Sequence, residues 1–325
     1  MLLEMREAIR EALDEEMQRD PNVFILGEEV AEYNGAYKVT KGMLAKWGKE
    51  RILDTPIAEL GFAGLAVGAA MTGLRPVVEF MSFNFSFVAA DQIISHAAKM
   101  YYMSGGRFSV PIVFRGPNGA AAQVSSQHSH CVEAIYSHWP GLIVVAPSNS
   151  YDAKGLLKSA IRNNNPVLYL ENELSYGDKA EVPEGEYLVP IGKARIVRAG
   201  RHITLISHSR MVSYCELAAQ ILSKKGIDVE LIDLRTIKPL DIATIADSVR
   251  KTHRCVVVEE GHGFCGVGAE ISAQVIEHCF DFLDAPIHRV HQKETPMPYA
   301  QNLEKETLPS VERIVYAIEN LFSER

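Results

Sequence analysis

Glu59 is the residue of this sequence whose position most suggests chemistry. It stands at the start of an apolar, glycine-rich stretch over 60–74 that has the pattern of a helix. A carboxylate in such surroundings is costly unless a partner compensates for it. The positive end of the helix is one such partner, and a buried heterocycle that needs a strong, directional acceptor is another. A charge exposed to solvent in the first helical turn is the alternative interpretation.

Aromatic and histidine side chains follow two of the predicted strands. Phe83, Phe85 and Phe87 alternate just after the strand predicted over 77–80, at the carboxyl edge where α/β sheets bind ligands. They could stack on a planar ligand, or Phe83 and Phe87 could simply pack in the core. Two histidines, His128 and His130, follow the strand predicted over 111–115. Two histidines alone are weak support for a metal site, so a single acid–base or substrate-binding histidine is the favoured functional interpretation.

A glycine pattern over 261–266, Gly-His-Gly-Phe-Cys-Gly, matches the dinucleotide-binding fingerprint. It follows a predicted strand over 255–259 and precedes a predicted helix, as that fingerprint requires. However, the next strand, over 287–290, ends without the acidic residue that would bind the ribose. An NAD-dependent dehydrogenase is therefore a distant alternative.

Composition restricts the class of protein. The chain has 325 residues, of which 47% are hydrophobic and 23% charged, with a formal net charge of −8, so about two soluble globular domains are expected. No basic stripe indicates nucleic acid, and the apolar stretch over 60–74 is too short to span a membrane. The five cysteines include no Cys-x-x-Cys pair, which favours a reducing compartment.

Apolar strands alternate with helical patterns along the chain, which predicts an α/β fold with parallel sheets. A glycine- and proline-containing segment over 177–190 interrupts the alternation and is predicted to be a linker. We therefore predict two parallel-sheet domains, over 1–186 and 187–325. The strands are predicted over 23–26, 77–80, 111–115, 142–146, 167–170, 203–207, 229–232, 255–259 and 287–290, and the helices over 2–19, 60–73, 84–100, 127–138, 150–162, 210–225, 240–250, 268–279 and 309–322.

Long, ordered motifs resemble the pyruvate dehydrogenase beta-subunit family, whose members are thiamine-diphosphate-dependent components of 2-oxo acid dehydrogenase complexes. The resemblance covers the whole chain. The Arg-Gly-Pro-Asn-Gly stretch over 115–119 resembles the pyruvate type more than the branched-chain or acetoin types. The motifs are Leu26-Gly27-Glu28-Glu29-Val30, Gly35-Ala36-Tyr37-Lys38-Val39, Asp54-Thr55-Pro56-Ile57, Gly61-Phe62-Ala63-Gly64, Tyr101-Tyr102-Met103-Ser104-Gly105-Gly106, Phe114-Arg115-Gly116-Pro117-Asn118-Gly119, Gln127-His128-Ser129 and Met297-Pro298-Tyr299.

The resemblance implies a transketolase-like pyrimidine-binding domain followed by a transketolase C-terminal domain. It also implies roles for individual residues. Glu59 would be the cofactor-activating glutamate, which bonds to the pyrimidine ring and favours its imino tautomer, and His128 would be an active-site histidine. Met81 and Phe85 would contact the aminopyrimidine ring, and Tyr33 would lie in a loop near the cofactor. A structural potassium ion would be bound by Ile112, Ala160, Ile161, Asn163 and Asn165; relatives can carry aspartate where this chain has Asn163.

The same resemblance implies partners. The diphosphate–magnesium motif of thiamine enzymes, Gly-Asp-Gly followed by Asn, is missing, since Gly177-Asp178 is followed by Lys179. The cofactor and Mg²⁺ would therefore be shared with an alpha subunit in an alpha2beta2 heterotetramer, which would acetylate the lipoamide of a dihydrolipoamide acetyltransferase core. The glycine-rich helix over 60–73 could then lie at a subunit interface or pack tightly within its own domain.

Three rival functions remain open at this point. A branched-chain 2-oxo acid or acetoin dehydrogenase beta subunit keeps the chemistry and changes the substrate. The NAD-dependent dehydrogenase uses the loop over 261–266, and a non-catalytic scaffold would only dock the acyltransferase core. The residues over 1–7 do not form a secretory signal, so a bacterial cytoplasm is expected, or the mitochondrial matrix for a processed chain.

Overall fold

The structure is a computed structural model that describes residues 1–323. It contains two compact units. Unit 1 comprises residues 1–118 and 135–191, and unit 2 comprises residues 119–134 and those from 192 onward. The segment over 119–134, which carries His128, therefore leaves the first unit and folds with the second.

Unit 1 is built on a parallel sheet with helices between its strands. Six of its strands are hydrogen-bonded in the order β6-β7-β5-β4-β2-β3, and every pair is parallel. Short non-α helical segments lie over Phe83–Phe87, Gln92–Ala97 and Glu173–Ser175, and a further one over Ser126–His128 lies in the segment that folds with unit 2. The strands are β1 (Leu2–Glu4), β2 (Val23–Gly27), β3 (Ile52–Asp54), β4 (Arg75–Glu79), β5 (Val113–Asn118), β6 (Ile143–Val145), β7 (Val167–Asn172) and β8 (Lys179–Glu181), and the helices are α1 (Met5–Arg19), α2 (Met43–Trp47), α3 (Glu59–Met71), α4 (Met100–Met103), α5 (Glu133–Ser137) and α6 (Ser150–Arg162).

Unit 2 repeats the α/β pattern around a second sheet. Its strands have the order β14-β13-β10-β11-β9, in which only β9 is antiparallel to its neighbour. A 3-10 helix lies over Phe280–Phe282. The strands are β9 (Arg195–Arg198), β10 (Ile203–Ser207), β11 (Val229–Asp233), β12 (Thr236–Lys238), β13 (Cys255–His262) and β14 (His288–Gln292), and the helices are α7 (Met211–Lys224), α8 (Ile242–Thr252), α9 (Val267–Cys279), α10 (Gln301–Thr307) and α11 (Val311–Ser323).

The predicted linker over 177–190 belongs to unit 1. Its strand β8 pairs antiparallel with β1, so the predicted first helix begins at Met5 and not at residue 2. Farther along, Val189 is buried and donates a backbone hydrogen bond to the carbonyl of Gly155 in α6 at 3.2 Å. A Cβ atom on Gly155 would lie 2.5 Å from the Val189 side chain. Glycine at position 155 therefore lets this segment close against the helix.

The predicted helix over 84–100 is broken into three pieces. A 3-10 helix over Phe83–Phe87, a π-helical turn over Gln92–Ala97 and α4 replace it. The Ser86 hydroxyl donates a hydrogen bond to the Phe83 carbonyl at 2.7 Å, a local bond that competes with regular helix geometry. The break changes the direction of the chain directly after the aromatic residues that were singled out in the sequence.

Candidate functional site

Glu59 is the first residue of α3, and only 6% of it is exposed. The preceding residue, Ala58, makes no side-chain capping hydrogen bond. The carboxylate therefore stands at the positive end of the helix, where its charge is stabilised. The alternative of a charge in open solvent is wrong, because the residue is buried. A buried, charged acceptor at the carboxyl edge of a parallel sheet is suited to binding a ligand.

A second carboxyl group, Glu28, lies beside Glu59 at the end of β2. Burial, the charge of Glu59 and a hydrogen bond between the two side chains together raise the pKa of Glu28 to about 7, and burial is the largest of these causes. The Oε1 atom of Glu28 is buried and has no hydrogen-bond partner within residues 1–323. Glu28 therefore retains its proton up to about pH 7, and one buried oxygen atom of this side chain is left for a ligand.

Near this pair, a buried arginine forms ion pairs with two further glutamates. Arg115 forms a bidentate pair with Glu171, with both contacts at 2.6 Å, and it also donates to Glu79. The Tyr176 hydroxyl donates to Glu171 at 2.6 Å. Glu79 also acts on Glu28, because its charge is among the causes that raise the Glu28 pKa. The network stabilises this part of unit 1, since breaking one side of a buried ion pair is strongly destabilising.

The raised pKa of Glu28 predicts a pH-dependent stability. The folded state binds the Glu28 proton more tightly than the unfolded chain does, so the stabilisation is complete at low pH. It is lost as the pH rises through about 7. Glu28→Gln cannot titrate, and its melting temperature should therefore fall less than that of the wild type between about pH 5 and pH 8. Parallel pH dependences for the two proteins in thermal unfolding would contradict the assignment.

Asp54, at the end of β3, connects the loop that contains Tyr33 to the sheet through hydrogen bonds. The Asp54 carboxylate accepts hydrogen bonds from the backbone amides of Ala31 and Glu32 at 2.7 and 3.0 Å. The Tyr33 side chain is largely exposed, and the Lys38 ammonium lies 3.2 Å from the centroid of its ring. The loop is thus held at its base, while Tyr33 remains accessible.

Met81 and Phe85 follow β4 and are half-buried. Phe83 between them is fully buried and meets Phe80 edge-on, with ring centroids 5.5 Å apart. The core-packing interpretation is therefore confirmed for Phe83. The same interpretation is wrong for Phe87, because this residue is exposed at 38% relative accessibility. The chain thus alternates a core side chain with a half-buried side chain that a planar ligand could contact.

The oxygen atoms of the predicted potassium site lie around the beginning of β5 and the end of α6. The Ile112 carbonyl accepts a hydrogen bond from the Val167 amide at 2.9 Å, and the Ala160 carbonyl accepts one from the Asn163 amide at 3.1 Å. The Asn163 side-chain oxygen accepts one from the Asn165 amide at 2.9 Å.

Arg75 also reaches this group of oxygens. Its guanidinium donates to the carbonyls of Ile161 and Asn163 at 2.9 and 3.1 Å. A carbonyl oxygen has two lone pairs, so each of these atoms retains capacity for a cation.

His128 lies in unit 2, in the 3-10 helix over Ser126–His128, and its side chain is exposed. The turn before it contains two non-glycine residues with positive φ, Gln123 at 57° and Ser125 at 67°. Such conformations are uncommon and persist where surrounding contacts enforce them. His128 therefore follows closely on a segment with a strained backbone.

A cluster of buried carboxyl groups lies beneath that segment in unit 2. Glu260 accepts a hydrogen bond from the Ala120 amide, and burial raises its pKa to about 7. Glu133 lies 3.6 Å from the buried imidazole of His208. These groups were not predicted from the sequence. The only signal was the pair of consecutive glutamates at positions 259 and 260, which follow the apolar run over 255–258 within β13.

The glycine pattern over 261–266 does not form an open phosphate-binding loop. The neighbouring carboxylate of Glu259 accepts hydrogen bonds from the amides of Val267 and Gly268, both at 2.9 Å. These are the amides at the start of α9 on which a pyrophosphate would sit. A Cβ atom on Gly263 would lie 2.3 Å from the His291 ring. The protein's own side chains thus fill the space that a dinucleotide would need.

Membrane-spanning helices and clusters of metal-binding side chains are both absent from the described residues. None of the helices within 1–323 is long and apolar enough to cross a membrane. No group of three or more His, Cys, Asp or Glu side chains in the same range is arranged to hold a metal ion.

Most of the chain matches two known domain families. Residues 2–179 match the transketolase pyrimidine-binding domain, and residues 192–314 match the transketolase C-terminal domain. A solved structure described as a split-gene transketolase, inactive beta4 tetramer, superposes with a TM-score of 0.80. It covers 99% of this chain and 98% of that chain at 20% sequence identity. That likeness supports the predicted transketolase-like α/β fold.

Relatives with much higher identity define the family. The chain is 59% identical to the mitochondrial pyruvate dehydrogenase E1 component subunit beta of Bos taurus, over 97% of this chain and 89% of the relative. It is 58% identical to the Homo sapiens protein of the same name, with the same coverage. It is also 58% identical to the E1 component subunit beta of Rhizobium meliloti (strain 1021), over 97% of this chain and 68% of the relative. The chain therefore belongs to the family of pyruvate dehydrogenase E1 component beta subunits.

Proposed function

We propose that the chain is the beta subunit of a thiamine-diphosphate-dependent pyruvate dehydrogenase. The complete enzyme carries out oxidative decarboxylation of pyruvate and reductive acetylation of lipoamide on the acyltransferase core, a route that leads to acetyl-CoA. The observation that carries the proposal is the buried carboxylate of Glu59 at the start of α3, paired with Glu28. Identities near 58% to beta subunits of this name support the same choice.

The residues of unit 1 fit a cofactor with a polar, planar ring. The unpartnered buried oxygen of Glu28 and the buried carboxylate of Glu59 are acceptors for ring nitrogens, and Met81, Phe85 and Tyr33 supply accessible apolar surface. When bound, thiamine diphosphate supplies the ring carbon that stores the electrons released with carbon dioxide. Glu59 would hold the pyrimidine by accepting a hydrogen bond at its buried carboxylate, and Glu28 would hold a proton beside it.

His128 is proposed to act on the acyl group in the transfer to lipoamide. An imidazole can donate or accept a proton near neutral pH, and this side chain is exposed on unit 2. Its contribution is orientation of the substrate or transfer of a proton at an imidazole nitrogen.

An alpha subunit is proposed to complete the enzyme as an alpha2beta2 heterotetramer and to hold Mg²⁺ with the cofactor diphosphate. The 325 residues lack the Gly-Asp-Gly…Asn motif for that ion. The outer side of α3 supports an interface role, because Leu65 is 62% exposed and a Cβ on Gly68 would meet no atom within 4 Å. The other proposed partner is a dihydrolipoamide acetyltransferase core.

A structural K⁺ ion is proposed at the oxygens of Ile112, Ala160, Ile161, Asn163 and Asn165. Carbonyl oxygens replace the hydration shell of this ion in other proteins. We expect the melting temperature of the heterotetramer to be roughly 5 °C higher in KCl than in NaCl of equal ionic strength. Asn163→Asp provides the comparison. A larger K⁺ response in the variant assigns a role to the side chain, an unchanged response assigns the backbone, and equal melting in both salts contradicts the site.

The functional domain boundary is proposed to lie after residue 186, with the pyrimidine-binding domain over 1–186 and the C-terminal domain over 187–325. The compact units divide instead between 191 and 192 and exchange the segment over 119–134. The five free cysteines support a reducing compartment, and we propose the bacterial cytoplasm, with the mitochondrial matrix as the alternative.

One experiment tests the function directly. The chain is co-expressed with its alpha subunit, and the purified complex is assayed with pyruvate, a branched-chain 2-oxo acid and acetoin. Thiamine-dependent decarboxylation with the highest kcat/KM for pyruvate is the expected result. A preference for a branched-chain acid or acetoin would instead assign the chain to a branched-chain 2-oxo acid or acetoin dehydrogenase. Turnover that needs NAD and no thiamine diphosphate would revive the dehydrogenase alternative, which the filled loop over 261–266 disfavours.

A further inference from the structure

We propose that Glu304 is a positioning residue that holds the His128 segment, residues 119–134, in its strained conformation. The inference rests on the proposed function of His128 only where it predicts a lower catalytic rate. Its structural part depends on contacts within unit 2.

The first support is the location of the strain. Gln123 and Ser125 have positive φ, although neither is glycine. Non-glycine residues adopt this region at an energetic cost, so nearby contacts must enforce it. The turn lies only three residues before His128, and any relaxation of its backbone therefore moves the imidazole.

The second support is the hydrogen bond that enforces this turn. The Glu304 carboxylate accepts the backbone N–H of Gln123 at 2.8 Å, directly at one of the two strained residues. Glu304 belongs to α10 and is only 8% exposed, although glutamate is normally found at the surface. A buried charge of this kind needs a hydrogen-bonding partner, and the Gln123 amide supplies it.

Further bonds tie the remainder of the segment. The Ala120 amide donates to Glu260, and the Gly119 amide donates to the His130 carbonyl at 2.8 Å, which closes the loop on itself. The Ser129 hydroxyl donates to the Ser125 carbonyl at 2.7 Å. The base of the loop is thus held by its own bonds and by Glu260, whereas Glu304 supports the turn that leads to His128. Substitution of Glu304 is therefore a better test than substitution of Glu260 of what holds the turn before His128.

The experiment uses the alpha2beta2 heterotetramer with three variants of the beta chain at positions 304 and 306. Glu304→Ala removes the acceptor, and Glu304→Gln keeps one acceptor oxygen without the charge. Glu306→Ala is the matched control, because Glu306 lies on the same helix with its side chain 76% exposed and pairs only at the surface with Lys293.

Hydrogen exchange is the structural readout. In Glu304→Ala, amides in the peptide over 120–128 should exchange about tenfold faster, because a hydrogen bond to a charged acceptor is lost. Glu304→Gln should show a smaller increase, and Glu306→Ala none. Unchanged exchange over 120–128 in Glu304→Ala would overturn the proposal. An equal acceleration in peptides throughout the chain would also overturn it, since it would indicate general destabilisation.

Kinetics provide the catalytic readout. For Glu304→Ala, kcat for acetylation of a lipoyl domain should fall about tenfold with little change in KM, because a small displacement of a reacting group is costly. His128→Ala is measured in parallel. If it acetylates the lipoyl domain at the wild-type rate, the proposed role of His128 fails, whereas the exchange result still decides whether Glu304 positions the segment. A normal kcat in Glu304→Ala alongside a defective His128→Ala would overturn the catalytic consequence.

Discussion

Replacing Glu59 by glutamine is expected to lower the decarboxylation rate of the assembled enzyme by about 100- to 10,000-fold. Glutamine keeps the volume of the side chain and one acceptor oxygen, but it loses the charge. Glu59 begins α3 and is buried next to Glu28, whose pKa is raised towards 7. Its contribution is therefore electrostatic as well as geometric, and a neutral amide is a much weaker acceptor for a ring nitrogen.

The matched control for this variant is Glu32→Gln. Glu32 lies in the same unit, but its side chain is 69% exposed and pairs at the surface with Lys49. We expect near wild-type turnover from the control and cooperative thermal unfolding from both proteins, which would show that the fold is intact. A Glu59→Gln enzyme that retains more than half of the wild-type rate would remove Glu59 from the mechanism.

The α/β class could be predicted because the buried parallel strands are local apolar runs. Residues 23–26, 167–170 and 203–207 were predicted as strands, and each lies within an observed strand. The helix over 150–162 was found with its observed bounds, since a side-chain cap at Asn149 marks its start. The short elements β3, β9, β12, α2 and α10 carry too little pattern to be distinguished from loops.

Glu59 could be proposed as a site residue because a carboxylate at the start of an apolar helix is unusual in the sequence itself, and that role stays a prediction. The importance of Glu28 arises only from its proximity to Glu59 and Glu79 in space, which no local pattern encodes. The same limit applies to Glu304, which meets Gln123 across 181 residues of chain. Long-range pairs of this kind determine the pKa values and the strain of the site, so these properties required the folded structure.

The way in which the chain divides into two compact units could not be predicted in full from the sequence. A break near residue 187 was suggested by glycines and prolines, but that segment pairs with the N-terminal strand and packs on α6. The segment over 119–134 folds with the second unit although it lies between two elements of the first. Turn-forming residues mark where a chain bends, and they do not specify the sheet to which it returns.

The isolated beta chain is expected to bind thiamine diphosphate with magnesium at least about 100-fold more weakly than the alpha–beta complex does. The diphosphate carries most of the charge of the cofactor, and its strongest contacts are a metal ion and charge-assisted hydrogen bonds. The 325 residues lack the motif that binds this metal. The contacts proposed for unit 1 are the Glu59 carboxylate, with Glu28 beside it, and the side chains of Met81, Phe85 and Tyr33, and these orient a ring more than they retain it.

Calorimetric titration of the beta chain, the alpha chain and their mixture, with and without Mg²⁺, measures this difference. The mixture should bind tightly only when Mg²⁺ is present. Glu59→Gln in the mixture separates the two contributions, because it should weaken binding far less than omission of Mg²⁺ does while still abolishing most turnover. Equal, tight and magnesium-dependent binding by the beta chain alone would show that the diphosphate site is contained within this chain, and the division of the cofactor between two subunits would then be wrong.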